Sequence, residues 1–442
     1  MTETRSEPRH VLHGLGELVA YVPYLLGFHP RESVVVLGGG PDGYGPSARY
    51  DIVAPPDQRA ELLRQVTQMM QRAGVAWHDV VVFSAAPDVA AVADEAAEAL
   101  RAANPVNHVV LVRPAEGDRP AQWCIDDCRC GGRCPREVWQ AVPAADRIPA
   151  VADHVLGERT PAAEREDLVR SLRPAPLRPG AVAQWVQTRV LGPHEEGELD
   201  DLDDRFADWA EATADDDLCD DWDDAWAAEW GEPDDDRDDP DLDPDHVGPA
   251  GGEALLDALE RSAQAARRLA CPNPYVWGDY PAALARVLDP SLDAPRVRDL
   301  PVGDLGTVLM TLRERNLRDH LMGWLAMTPM TVPGLFPDLT RAIRRAGAVP
   351  FDDRVLTPAE VTRVTERLRE LVRSAPEPMV PAPATLLAYW CWTHGGGALA
   401  LVALDRALEA DPDYRMARLL MQVVTHGMRP LDLCPTTREA AV

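Results

Sequence analysis

No lysine occurs anywhere in the 442 residues, so all 44 basic side chains are arginine. That absence removes a Schiff-base lysine and the phosphate-gripping lysine of a P-loop from the chemistry open to the chain. No G-x-S-x-G elbow is present either, which excludes that way of presenting a serine nucleophile. Eight cysteines are too sparse for a disulfide framework at this length. No apolar run is long enough to span a bilayer, since the first one, Leu18 to Phe28, is short and carries Pro23. With a polar N-terminus ahead of that run, the expected address is cytoplasmic, with no membrane partner. A basic stripe is missing as well, and 73 acids against 44 bases predict no nucleic-acid partner.

The acidity is concentrated. Residues 195–245 hold 26 acids and two arginines, Arg205 and Arg237, which leaves 47 acids and 42 arginines elsewhere. Most of the chain is therefore close to neutral, and 193–250 reads as an acidic disordered insert or linker. Phe206, Trp209, Trp222, Trp226 and Trp230 lie within it, the last three at a spacing of four that lines one helix face. A solvated linker and a segment that folds on a basic, apolar partner both fit.

On either side the patterning differs. Over residues 1–192, short β-branched runs alternate with Ala/Leu-rich stretches, which predicts an α/β domain with a Rossmann-like, mixed or mostly parallel sheet. Candidate strands are 33–37, 48–53, 79–84 and 107–112, with helices at about 57–73 and 88–103. The third and fourth strands are near-continuous apolar runs, as expected where helices cover both faces of a parallel pair. Residues 251–442 read as an all-α domain. Thr357, Pro358 and Glu360 spell a capping box with proline at the first helical position. A long helix is expected over 304–327, bent where Arg313 to Asn316 break its apolar stripe. Near the end, Thr393-His394-Gly395 and Thr425-His426-Gly427 repeat at a period of 32, and the residues between them are ordered like a tetratricopeptide helix pair.

Candidate chemistry sits in three places. Gly38, Gly40 and Gly43 match G-x-G-x-x-G after a strand, but the chain leads into another strand instead of a phosphate-facing helix, so a connecting loop is the better reading. At the carboxyl ends of the strands, Ser84 and Arg113, with His29 and Ser33 near the first strand, line the crevice where open α/β sheets bind small ligands. Cys124, Cys128, Cys130 and Cys134, spaced C-x3-C-x-C-x3-C around Gly131-Gly132, are the strongest candidate. They fit a zinc tetrathiolate, a reversible disulfide pair, or plain loop cysteines. In the last helices, Arg406, Tyr414, Arg415 and Arg418 are candidate contacts for a carboxylate-bearing protein partner.

Three segments carry a family resemblance. Leu26-Gly27-Phe28-His29-Pro30-Arg31-Glu32-Ser33 with the following Val34 to Leu37, then Leu312-Arg313 through Leu317-Arg318-Asp319, then Ala407-Leu408 through Asp411-Pro412-Asp413-Tyr414-Arg415, resemble the actinobacterial domain of unknown function 4192 family. The likeness extends over nearly the whole chain except about 195–250. It implies no activity and transfers no catalytic residue. The function expected is that of a non-catalytic binding or scaffold protein with small-ligand sensing in the α/β part. The alternative is a hydrolase or transferase acting at the carboxyl-end crevice.

Overall fold

This computed structural model of the protein describes residues 12–41, 43–52, 55–131, 134–191, 274–313, 315–325, 345–346 and 356–428. The acidic segment 193–250, with its tryptophans, lies outside the described residues, as do Cys219, Cys271 and Cys434.

The N-terminal half is built on a six-stranded mixed sheet, ordered β2-β1-β3-β4-β5-β6. The strands are β1 (Ser33–Gly40), β2 (Gly43–Asp51), β3 (Trp77–Phe83), β4 (Val106–Arg113), β5 (Gln122–Cys128) and β6 (Gln140–Ala141). β3 and β4, the two near-continuous valine runs, are the one parallel pair of named strands, with Val80 opposite Val109. The other neighbours run antiparallel. Because successive side chains alternate between faces, each strand feeds two cores. α2 (Pro56–Arg72) and α3 (Val89–Arg101) cover the face carrying Val34, Val36, Val80, Val82, Val109 and Leu111. α1 (Leu15–Leu26) covers Val35, Leu37, Val81, Phe83, Val110 and Val112. The apolar run beginning at Leu18 is this helix, which continues through Pro23 and stops where Gly27 turns left-handed at φ 78°.

The glycines at the end of β1 serve packing and a turn. Gly40 faces Gly43 across the β1–β2 hairpin, so the run is a strand connection. At Gly39 any Cβ would overlap the Trp77 indole, which lies across the strand.

α4 (Pro149–Leu156), α5 (Arg165–Arg170) and α6 (Arg178–Leu191) follow the sheet. After the acidic segment come α7 (Pro274–Leu288), α8 (Val302–Arg313), α9 (Arg315–Leu325), α10 (Pro358–Ser374), α11 (Pro381–Thr393), α12 (Gly397–Ala410) and α13 (Arg415–Thr425). The expected helix over 304–327 is thus two helices, α8 and α9, meeting where the stripe breaks. Thr357 caps α10 as expected: its hydroxyl accepts from the Glu360 amide at 3.3 Å, and its own amide donates to Glu360 Oε2 at 2.9 Å. Leu168, Leu172, Val182 and Val186 of α5, α6 and the turn between them share one core with Leu305, Leu309, Leu368, Leu387 and Trp390. The Ala175 amide donates to Arg373 O at 2.8 Å, which ties these early helices to α10.

The period of 32 has a local cause. At the ends of α11 and α13 the threonine hydroxyl donates to the carbonyl four residues back, Thr393 to Tyr389 and Thr425 to Met421. Histidine Nδ1 lies 2.8 Å from Trp390 O in one copy and 2.7 Å from Gln422 O in the other. Gly395 and Gly427 then leave the helix at φ 80° and 68°. One helix-ending device is used twice.

Candidate metal centre

β5 was not expected as a strand, yet it carries two of the four clustered cysteines. Its pairing with β4 contains a bulge: Val110 faces Ile125 and Val109 faces Asp127, so Asp126 is the extra residue. The bulge reverses the alternation. Cys124 points with Leu111 into the α2/α3 core and is buried, whereas Cys128, opposite His108, packs with the α1-side core. Without the bulge a spacing of four would put both sulfurs on one face. The strand therefore withdraws Cys124 from the cluster.

His108 takes its place. The ligating atoms of His108, Cys128, Cys130 and Cys134 all lie within 4.8 Å of one another. Cys130 Sγ is 3.1 Å from Cys128 Sγ and 3.6 Å from Cys134 Sγ, and Cys134 Sγ is 3.8 Å from His108 Nε2. At 3.1 Å two sulfurs are well beyond the roughly 2.05 Å of a disulfide bond. The chain reaches this geometry by leaving β5 at Cys128 and turning at Gly131, whose φ is 77°, a conformation a Cβ would disfavour.

Behind the histidine stands a carboxylate. Asp79, 1% exposed at the start of β3, holds Oδ1 at 2.8 Å from His108 Nδ1. A carboxylate there assigns the proton to Nδ1 and leaves the Nε2 lone pair facing the three sulfurs. Its other oxygen accepts from Tyr44 Oη at 2.5 Å, and Tyr44 is held edge-on against Trp77 with ring centroids 5.2 Å apart. Burial and the nearby Asp79 charge keep the phenol protonated and donating. The hydrogen bond to Asp79 raises the His108 pKa. Hydrogen bonding with Cys128, then burial, then Cys130 push the Cys134 thiol up to about 12. Crowded thiols resist becoming thiolates together unless a cation sits among them. This His/Cys cluster has the donors to hold a metal ion.

The same fold separates the other candidates from it. The cluster lies at the entry of parallel strands β3 and β4, while Ser84 and Arg113 lie at their exit. Five residues of strand, about 16 Å, separate Asp79 from Ser84. There Ser84 Oγ donates to Glu32 Oε2 at 2.7 Å and accepts from the Ala86 amide at 3.0 Å. Ser33 Oγ donates to Arg31 O at 2.6 Å and accepts from Arg49 Nε at 2.9 Å. The Arg113 guanidinium stacks 3.7 Å from the Trp139 ring centre. His29 is exposed, and its backbone amide donates to Ala162 O at 2.9 Å. No hydrogen bond among the described residues joins His29 to either serine.

A family model described as "Domain of unknown function (DUF4192)" matches residues 16–431, nearly the whole chain. The chain belongs to the DUF4192 family. No curated protein and no solved structure matches it.

In this DUF4192 chain the first resembling segment ties the sheet to the helical core, and the other two are tied to each other. Ala162 N donates to Gly27 O at 2.9 Å, and Phe28 is buried in the helical core. Arg318 of α9, also buried, donates to Tyr414 Oη at 2.5 Å and to Asp319 at 2.8 Å. Tyr414 is thereby engaged within the fold, and so is Arg406, whose Nη1 and Nη2 donate to Glu377 at 2.8 and 2.7 Å. Arg418 is exposed, 4.0 Å from Asp413, and Arg415 opens α13. No helix among the described residues is long and apolar enough to cross a membrane.

Proposed function

We propose that His108, Cys128, Cys130 and Cys134 bind one zinc ion, and that this DUF4192 chain is a non-catalytic binding or scaffold protein. Its sheet is read as Rossmann-like and its α11–α12 hairpin as tetratricopeptide-like. The observation that carries the metal reading is the convergence of three sulfurs and one imidazole nitrogen from two strands and a loop, with a buried carboxylate behind the imidazole. Zinc–sulfur bonds of about 2.3 Å at tetrahedral angles put sulfurs about 3.8 Å apart. The 3.6 Å between Cys130 and Cys134 is close to that, and the exposed loop bearing Cys130 has room to open its 3.1 Å approach to Cys128. Four protein ligands leave no position for a reacting water, which favours a structural role. The engaged hydroxyls of Ser33 and Ser84 support the same reading over a hydrolase or transferase at the opposite edge.

Metal would fasten Cys130 and Cys134 to the sheet. Residues 134–139 run beside β5: the Glu137 amide donates to Ile125 O at 2.8 Å, and Arg136 Nη2 to Cys128 O at 2.8 Å. A covered strand edge is a protected one.

Elemental analysis of reduced, tag-free protein should find about one zinc per chain, because thiolate ligation is tight at neutral pH. Cys124→Ala should keep that stoichiometry and Cys128→Ser should lose it. A tetrathiolate through Cys124 predicts that both lose it, and zinc-free wild type ends the proposal. Asp79→Asn should weaken zinc binding by about 10- to 100-fold in chelator competition, since it unsettles the tautomer and orientation of His108. Unchanged affinity would assign Asp79 to packing alone.

A further inference from the structure

Resting on the zinc reading, we infer that Cys130 is the point at which hydroperoxides oxidise the centre, closing a Cys130–Cys134 disulfide that expels the metal. The four sulfurs of the region differ in access. Cys130 is exposed, Cys128 and Cys134 are half-buried, and Cys124 is buried in the sheet core, where burial pushes its thiol up to about 11. Exposure decides which of these sulfurs an oxidant in solution meets first.

The partner sulfur follows from the backbone. Cys128 ends β5, with its amide donating to Asp127 Oδ1 at 2.8 Å and its carbonyl held by Arg136, and one residue separates it from Cys130. Cys134 lies four residues on, across Gly131-Gly132, with its sulfur already 3.6 Å away. A spacing of four is long enough to close a disulfide of ordinary geometry.

The chemistry balances with the hydroperoxide as two-electron oxidant. The Cys130 thiolate attacks one peroxide oxygen. An S–O bond forms, the O–O bond breaks, and the departing oxygen takes a proton from solvent and leaves as water from hydrogen peroxide or as the alcohol from an organic hydroperoxide. Cys134 then attacks the Cys130 sulfur, forming S–S and breaking S–O, and the second oxygen leaves as water with a second proton. The two sulfurs lose two electrons and the peroxide gains them. Zinc is left with His108 and Cys128, too few ligands to hold it tightly.

The test uses the full, zinc-loaded chain under anaerobic conditions with measured additions of hydrogen peroxide. A chromogenic chelator follows released zinc, a thiol reagent counts thiols, and peptide mass mapping locates disulfides. About one zinc should leave for every two thiols lost, with Cys130 and Cys134 joined, Cys124 still reduced, and full reversal by dithiothreitol plus zinc. Zinc that stays bound under peroxide excess overturns this inference and leaves the zinc site standing. Release accompanied by a Cys128–Cys130 bond, or by oxidation of Cys124 or Cys391 first, overturns the assignment to Cys130 and Cys134. A chain that takes up no zinc at the outset removes the metal site and this inference together.

Discussion

Replacing His108 by alanine should strip the metal and open residues 129–139 to trypsin, with cleavage rising by about 100-fold at Arg129 or Arg133. The stretch 129–139 carries three arginines, Arg129, Arg133 and Arg136, so every tryptic site in it reports on the same closure. Three interactions hold its far end without metal: the Glu137–Ile125 and Arg136–Cys128 hydrogen bonds and the stacking of Arg113 on Trp139. The near end has the Arg129 amide's hydrogen bond to Asn107 O at 2.8 Å, ion pairs to Asp127 and the proposed metal, and exposed pairs contribute at most about 1 kcal/mol each. A clamp of about 3 kcal/mol already holds the open population down by about 100-fold, and structural zinc in small peptides is worth far more. A chelator added to wild type should reproduce the His108→Ala pattern. If wild type is cut equally with and without chelator, and His108→Ala adds nothing, the metal does not fasten this segment.

Arg367→Met should destabilise the helical half by about 3–5 kcal/mol, read from urea unfolding followed by tryptophan fluorescence. Arg367 is buried on α10, and its guanidinium serves the last turn of α7 and the loop beyond. It donates to Val287 O at 2.7 Å, to Pro295 O at 2.9 Å and to Arg286 O. The final carbonyls of a helix have no partner within the helix and carry its negative dipole end, so a cation with several donors satisfies both needs. Methionine preserves the apolar stem and leaves three carbonyls without those donors, at about 1–3 kcal/mol for each that water cannot reach. Arg367→Lys should recover part of the loss, since an ammonium lacks the planar fork that reaches three acceptors. Parent-like stability of the methionine variant would show that water takes the guanidinium's place.

What could be read beforehand follows from which forces are local. The capping box at Thr357 needs only four consecutive residues, and it forms as its spelling demands. The valine runs of β3 and β4 announce burial on both faces and mark the parallel pair. The cysteine cluster was visible as composition, and three of its members converge. His108 was not, for two reasons with one origin. β5 is rich in Asp and Cys and has Ile125 as its one β-branched residue, too little to signal a strand, so its pairing with β4 left no local trace. The bulge at Asp126 then decides which cysteines share a face, and a one-residue slip in register is a property of two strands together. A histidine interrupting the apolar run from Val106 to Val112, with Asp79 heading the neighbouring strand, was the available clue. The intramolecular partners of Tyr414 and Arg406 left no local trace either, since Arg318 and Glu377 lie 96 and 29 residues away.

The bond from Ala175 to Arg373 sets a timetable for the nascent chain. Leu168, Leu172 and Val182 leave the ribosome about 200 residues before α10 can cover them, which at about 5–20 residues per second is about 10–40 s. The acidic segment is made during that wait. Lengthening it would add little to the equilibrium cost of closing the loop, because that cost grows only with the logarithm of length. It would lengthen the exposure in direct proportion. Shortening the segment should therefore raise the soluble yield at high expression rates while leaving the folded protein's stability nearly unchanged, and co-expressed chaperones should narrow the difference.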